Sequence, residues 1–212
     1  AYFVFTKKQE PITNVQHNYW DPDTRDFKEI VQYAELAEKQ ISKYKKNSFL
    51  FVRYAYQAAR LYLFGQEYAK SIAIYEKYLQ PIKGNDAILN WALSNYAGAV
   101  RKNADGAKAA YLFSRLFTAS PERRVLAYAN FHYITASDTE IFQYVTNAAD
   151  NFNINAIIGF GTGDRTMKYL NTCYKLDPAN TVNAVLLGRE VNKIEGDMNE
   201  SFYIGYGENY NY

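Results

Sequence analysis

Cysteine and histidine are nearly absent from this sequence. The 212 residues include one cysteine, Cys173, and two histidines, His17 and His132. One cysteine cannot form a disulfide within the chain. A structural zinc site takes four Cys or His ligands, which this composition does not supply. We therefore expect no internal disulfide and no metal site.

The chain also lacks a large net charge of either sign. The 24 basic and 22 acidic residues give a formal net charge of +2. Since a nucleic-acid-binding surface needs basic residues to neutralise phosphates, nucleic acid is not an expected partner. No apolar run reaches the roughly 18 residues that a membrane-spanning helix requires, so no transmembrane segment is predicted.

Tyrosine, by contrast, is abundant, at 21 residues. It suits the seams between packed helices, where the ring is buried and the hydroxyl reaches water. It also suits an aromatic surface that binds peptide or glycan. We favour packing for most of these residues, and the sequence leaves the second interpretation open.

Apolar residues recur at helical spacing along most of the chain. The spacing predicts helices over about residues 26–43, 49–64, 67–79, 87–102, 107–118, 122–134, 138–151, 154–160, 164–176 and 179–194. Because the loops are short, successive helices should be antiparallel neighbours. Residues 1–195 are therefore predicted to form one helical repeat domain. The Gly-, Tyr- and Asn-rich residues 196–212 lose the helical period and are predicted to form a non-helical tail.

Two of these helices share a spacing of aromatic and small side chains. Tyr68, Ser71 and Tyr75 take the aromatic, small and aromatic positions, and Ala109 and Phe113 repeat the last two, 38 residues later. Small residues let helices approach closely, and aromatic rings fill the remaining space. The pattern resembles the second helix of a tetratricopeptide (TPR) repeat, whose usual period is about 34 residues. The resemblance implies an all-α, right-handed superhelix of antiparallel helix pairs, with about nine or ten helices.

Four short segments are similar to a family of large, uncharacterised helical-repeat proteins in Bacteroidetes bacteria. They are Tyr54–Gln57, Trp91–Ser94, Lys175–Pro178 and Leu187–Ile194. The resemblance covers most of residues 1–195 and implies no activity and no functional residues. With the high tyrosine content, it favours a protein of the cell envelope or periplasm, and a cytoplasmic location is the alternative.

The two outer helices have no predicted partner. Residues 26–43 have the pattern of a second helix, so the first helix of that pair is expected upstream, with residues 1–10 as part of it. Residues 179–194 have the pattern of a first helix without a successor. Because each pair leaves an apolar face for the next pair to cover, we expect the chain to be part of a longer array or a larger complex. The alternative is that the two ends are capped in an unusual way.

A catalytic centre is not predicted. Gly159–Gly163 lacks the strand and the βαβ unit of a dinucleotide-binding loop, and is interpreted as a turn between helices. Cys173 lies on an apolar helix stripe and is interpreted as a buried structural cysteine. The carboxylates of Glu35 and Glu38 share one solvated helix face, whereas a glycosidase needs two carboxylates facing across a cleft. We expect neither enzymatic activity nor a cofactor.

The expected binding site is the concave surface formed by the first helix of each pair. Side chains beside the packing stripe of these helices would line a groove that combines arginine with aromatic rings, a composition typical of binding hot spots. The groove residues are Arg53, Tyr56, Arg60, Trp91, Ser94 and Arg101. The positive charge favours an acidic or C-terminal peptide. The alternative is that Tyr56 and Trp91 pack on a neighbouring repeat.

The predicted function is a non-catalytic scaffold that mediates protein–protein interaction. A second hypothesis is a glycan-binding envelope protein on a TPR-like frame, which would resemble the SusD-type lipoproteins. Exposed, coplanar aromatic rings in a pocket would favour glycan, and a charged open groove would favour peptide.

Overall fold

The regular structure of the chain is helical. The computed structural model describes residues 1–14, 20, 23–84, 86–163 and 165–207, with the side chains of 197 and 199–207 left aside. The helices in this part are α1 Tyr2–Thr13, α2 Phe27–Ile41, α3 Phe49–Phe64, α4 Tyr68–Ile74, α5 Ala87–Lys102, α6 Gly106–Ala119, α7 Arg124–His132, α8 Asp138–Phe142, α9 Ala148–Gly161, α10 Lys168–Leu176 and α11 Val182–Gly207. No strand occurs within these ranges, so the predicted all-α class is confirmed.

The helices with the clearest apolar period have the predicted bounds. The helices α3 and α5 begin and end where the sequence places them. Gly65 follows α3 as its C-cap, and its backbone N–H donates to the carbonyl of Leu61. The start of α2 is fixed by Asp26, whose side chain accepts a hydrogen bond from the N–H of Glu29. Such caps satisfy backbone groups that have no partner inside the helix.

The division of residues 138–151 and 154–160 into two helices at about residue 152 is wrong. The break lies earlier, between α8 and α9. Asn147 caps α9, because its Oδ1 accepts a hydrogen bond of 2.9 Å from the N–H of Asp150. The helix α8 ends earlier, at Phe142, and the extended backbone of Asn147 marks the start of α9.

The predicted non-helical tail is also wrong over residues 196–207. The helix α11 continues through these residues to Gly207. The glycines and asparagines lower helix propensity by amounts that a long helix tolerates. Residues 208–212 of the predicted tail lie outside the described residues.

Most helices pack on their chain neighbours, and several also pack on the helix after next. The helix α3 contacts both α2 and α4, and α5 contacts both α4 and α6. The helix α3 also packs directly on α5. The helix α1 lies against α2 and α3. Small buried residues mark the close contacts of α2, α4 and α6, at Ala34, Ser71 and Ala109.

The chain stays helical after α4, but the helix becomes wider. Residues Tyr75–Leu79 form a π-helical turn, in which the N–H of Gln80 donates to the carbonyl of Tyr75 over 2.9 Å. The predicted helical segment thus reaches Leu79 as expected, with a different hydrogen-bond period at its end. Such turns occur frequently at functional sites.

Candidate functional site: the predicted groove and two tyrosine clefts

The aromatic members of the predicted groove are packed against each other. Tyr56 is buried, and its ring centroid lies 6.3 Å from that of Trp91, with the planes at 52°. The guanidinium of Arg123 lies 5.3 Å from the Trp91 ring centroid. The structure therefore brings Tyr56 and Trp91 together in the contact between α3 and α5.

The arginines of α3 lie beside α1. The Nη1 of Arg60 donates a 3.1 Å hydrogen bond to Oε1 of Gln9, which is buried. Burial lowers the pKa of Arg60, and its guanidinium lies 4.5 Å from the Phe64 ring centroid. Arg53 makes a similar contact with the Phe49 ring, at 4.9 Å. Both arginines are half-buried.

The remaining groove residues are less accessible than the prediction requires. Ser94 is buried, and Arg101 is half-buried. Gln57, on the same side of α3 as Arg53 and Arg60, donates from Nε2 to the hydroxyl of Tyr2 over 3.3 Å. The helix α1 thus covers part of the face on which the groove was predicted, and the groove itself stays a prediction.

Two open clefts lie elsewhere, along α2, α4 and α6. The α2–α4 cleft has a volume of about 650 Å³ and lies between α2 and α4, with Tyr62 of α3 in its lining. The α4–α6 cleft has a volume of about 480 Å³. It lies between the π-helical turn and α6, with Tyr96 of α5 in its lining.

The tyrosine of the α2–α4 cleft is held by one carboxylate and one lysine. The hydroxyl of Tyr62 donates a 2.7 Å hydrogen bond to Oε2 of Glu38. The Nζ of Lys70 lies 5.6 Å from the Tyr62 ring centroid. Lys77 lines the same cleft and is exposed. The cleft therefore presents cationic groups next to an anchored hydroxyl.

The α4–α6 cleft repeats this arrangement. The hydroxyl of Tyr96 donates a 2.7 Å hydrogen bond to Oε1 of Glu76. The Nζ of Lys108 lies 5.6 Å from the Tyr96 ring centroid and 3.5 Å from the same carboxylate oxygen. Tyr75 stacks on Tyr96, with ring centroids 4.2 Å apart and planes at 11°. Arg115 lines this cleft and is exposed.

The two clefts are equivalent in sequence as well as in geometry. Carboxylate, lysine and rim cation each recur after 38 residues, and the tyrosine recurs after 34 residues. The matched pairs are Glu38 and Glu76, Lys70 and Lys108, Lys77 and Arg115, and Tyr62 and Tyr96. The interval of 38 residues is the one that separates the small residues Ser71 and Ala109. The contacts therefore show an internal repeat through α2–α6.

The tyrosine hydroxyls of the clefts are fixed hydrogen-bond donors. Burial raises the pKa of Tyr62 and of Tyr96 far above the ordinary tyrosine value, and the accepting carboxylates raise it further. Burial also raises the pKa of Tyr75, to about 12. A group with such a pKa does not release its proton near neutral pH, so the hydroxyls of Tyr62 and Tyr96 position their accepting carboxylates instead of acting as bases.

Sequence reasoning missed the polar members of the clefts. Packing is the role favoured for most tyrosines, and the burial of Tyr62 and Tyr96 agrees with it. Glu38 and Lys70 have no unusual sequence context. The available signal was the 38-residue interval, because the carboxylate and the lysine repeat at the same distance as the small residues.

Two other candidates from the sequence have structural roles. Cys173 is fully buried, as predicted, and burial raises the pKa of its thiol to about 12, so it stays protonated. Gly159 lies inside α9, so the predicted turn over Gly159–Gly163 is wrong for its first residues. A Cβ at Gly159 would lie 2.5 Å from Cβ of Tyr169. The glycine is needed for the close approach of α9 and α10.

The described part of the chain offers neither a membrane span nor a metal cluster. None of its helices combines the length and the apolar character needed to cross a membrane. No three of its His, Cys, Asp and Glu side chains are grouped so that they could hold a metal ion.

Comparison with known proteins returns no match to a family model, a curated protein or a solved structure. The assignment of function therefore rests on the contacts of this chain.

Proposed function

We propose that this chain is a non-catalytic scaffold that binds another protein, built as a TPR-like right-handed superhelix of antiparallel helix pairs. The observation that carries the proposal is the repeated cleft. A repeat architecture presents the same side chains at regular intervals along one surface, which suits an extended partner. The Glu–Tyr–Lys group recurs in this way at the α2–α4 and α4–α6 clefts.

The packing order supports the repeat arrangement. A small pocket of about 380 Å³ is lined by residues from the N-terminal ends of both α3 and α5, including Phe49 and Ile88. Helices that pack directly and have their N-terminal ends together run in the same direction. This is the relation expected between the first helices of successive pairs.

The ring contacts favour protein over glycan as the partner. A sugar ring stacks on a free aromatic face. Tyr75 and Tyr96 are coplanar, but they stack on each other. Tyr111 stacks on Tyr144, with centroids 5.6 Å apart, and donates its hydroxyl to Asp150. The aromatic excess in this region thus serves packing, and the cleft rims are charged.

The cell envelope is the compartment that we propose, on the composition and the family resemblance described above. Fractionation of the source cells with an antibody against the protein tests this location. Recovery in the cytoplasmic fraction would contradict it.

The scaffold proposal is tested by binding. Proteins that the immobilised chain captures from source cells are purified and titrated by calorimetry, and a glycan array is probed in parallel. We expect a saturable complex with one purified protein and a Kd of about 10 μM or tighter. Binding to oligosaccharides, with no purified protein bound, would replace the scaffold by the glycan-binding alternative.

A further inference from the structure

The two clefts have a common construction that suits a ligand of one chemical class. In each, two successive second helices form the walls, and a first-helix tyrosine lines the floor. The carboxylate at the floor already accepts the tyrosine hydrogen bond, at 2.7 Å in both cases. The cations at the walls are therefore the groups placed to meet a ligand.

The lining side chains carry a positive balance in both clefts. In the α4–α6 cleft, Lys108 and Arg115 face a single carboxylate, Glu76. In the α2–α4 cleft, three lysines face two glutamates. Among the lining side chains, each cleft thus has one more cation than anion, although the whole chain is close to neutral. Lys70 also pairs with Glu67, outside the lining, at 3.6 Å, so Lys77 is a more available cation of the α2–α4 cleft than Lys70. A carboxylate of a partner would balance each cleft, and Arg115 can bind it with two parallel hydrogen bonds.

The distance between the clefts is set by helix packing. The repeat unit that carries one cleft into the next also carries α3 into α5, and these two helices pack directly. Packed helices lie about 8–10 Å apart. A polypeptide in the polyproline II conformation advances about 3.1 Å per residue and completes a turn in about three residues. Side chains three positions apart therefore point the same way and span about one repeat.

We propose that the α2–α4 and α4–α6 clefts act together as one two-part site for an extended acidic polypeptide segment, with one carboxylate side chain in each cleft and the two carboxylates about three positions apart in the segment. This inference rests on the proposed scaffold function. It places the partner on the second-helix side of the molecule, away from the groove predicted from the sequence.

The first experiment uses synthetic probes. A fluorescein-labelled Gly/Ser peptide of about ten residues carries two aspartates three positions apart, and matched peptides carry one aspartate or two lysines. Fluorescence anisotropy at low ionic strength gives the affinities. We expect the two-aspartate peptide to bind about tenfold more tightly than the one-aspartate peptide, because the second contact is intramolecular. Equal affinity of these two peptides, or of the lysine peptide, would overturn the two-part site.

The second experiment changes one rim cation in each cleft. The double variant Lys77→Glu with Arg115→Glu should weaken binding of the two-aspartate peptide about fivefold to tenfold, as expected for two exposed charge contacts. The matched control is Lys168→Glu with Lys175→Glu, which makes the same charge change on α10, at exposed positions outside both clefts. The control should stay within about twofold of the unchanged protein. A control that weakens binding equally would show that net charge alone attracts the peptide.

Folding is checked separately for each variant by circular dichroism. The neutral pair Lys77→Gln with Arg115→Gln repeats the measurement without introducing repulsion, and a loss of at least about threefold is expected. If a purified protein partner binds the unchanged chain and all cleft variants with equal affinity, the proposed scaffold function stands and the two-part site fails. If no protein partner binds, the proposed function fails as well.

Discussion

The two sides of the α3–α5 region differ in what their aromatic and charged side chains contact. On the side of the predicted groove, Tyr56 is buried against Trp91, and Arg60 is bonded to Gln9 of α1. On the side of the clefts, buried tyrosines hold carboxylates, and the cations at the rims stay exposed. A residue beside the packing stripe of a helix is therefore not always free to bind a partner, because a neighbouring helix such as α1 can cover it.

The largest expected effect comes from Trp91. If the ring packs between helices, Trp91→Ala should lower the free energy of unfolding by about 3 kcal/mol, because the substitution leaves a cavity. Urea denaturation measures the change, with Arg101→Ala as a control that should stay within about 0.5 kcal/mol. If the Trp91→Ala variant were as stable as the control, the Trp91 ring would lie on an open groove, and the groove side would be the accessible one.

The second largest expected effect is a loss of stability at high pH, caused by Tyr75 of the α4–α6 cleft. The pKa of Tyr75 is raised to about 12 in the folded chain, against 10.0 for an unperturbed tyrosine. Below pH 10 the neutral Tyr75 hydroxyl makes its full contribution to the free energy of unfolding. This contribution is lost as the pH rises from 10 towards 12, because Tyr75 of the unfolded chain releases its proton first. It amounts to about 2 kcal/mol. Thermal denaturation across this range should show a smaller loss for Tyr75→Phe. The exposed Tyr174→Phe should behave like the unchanged protein, and an identical alkaline loss in Tyr75→Phe would refute the assignment.

The two clefts can be compared through their hydroxyls. Tyr62→Phe and Tyr96→Phe each remove one hydrogen bond to a carboxylate, and each should cost about 1.5 kcal/mol of stability. Equivalence of the clefts requires the two values to agree within about 0.5 kcal/mol. Tyr133→Phe, at an exposed position, serves as the control in the same chemical denaturation series. A cost at only one of the two positions would show that the repeat in sequence does not extend to energetics.

The smallest expected effect tests whether α1 covers the groove side. Gln9→Ala removes the acceptor of the Arg60 hydrogen bond and should destabilise the chain by about 1 kcal/mol. A double-mutant cycle with Arg60→Ala should give a coupling of about 0.5 kcal/mol or more between the two side chains. Zero coupling would mean that α1 leaves Arg60 available to a partner. Lys7→Ala, on the exposed side of α1, is the control.

Sequence reasoning located helices best where apolar periodicity and turn residues agreed. The bounds of α3 and α5 follow from this agreement. It failed at the start of α9, where the Asn147 cap is a local hydrogen bond that periodicity does not reveal. It failed again in α11, because low propensity was taken as the absence of helix.

The site was harder to predict than the helices. The sequence favoured packing for most tyrosines, which fits the buried Tyr62 and Tyr96. It gave no reason to expect that their hydroxyls bond to carboxylates of other helical segments. Those bonds join residues 24 and 20 positions apart, and they depend on how α2 packs on α3 and how the π-helical turn packs on α5. The π-helical turn that carries Glu76 has no sequence signature that we could use.

The most direct test of the account is a comparison of two charge reversals against the purified protein partner. Arg53→Glu with Arg60→Glu changes the groove side, and Lys77→Glu with Arg115→Glu changes the cleft side by the same charge. Calorimetry with folded variants should show affinity about fivefold to tenfold weaker for the cleft variant, and within about twofold of the unchanged protein for the groove variant. The opposite order of the two affinities would contradict the account and return the binding surface to the groove.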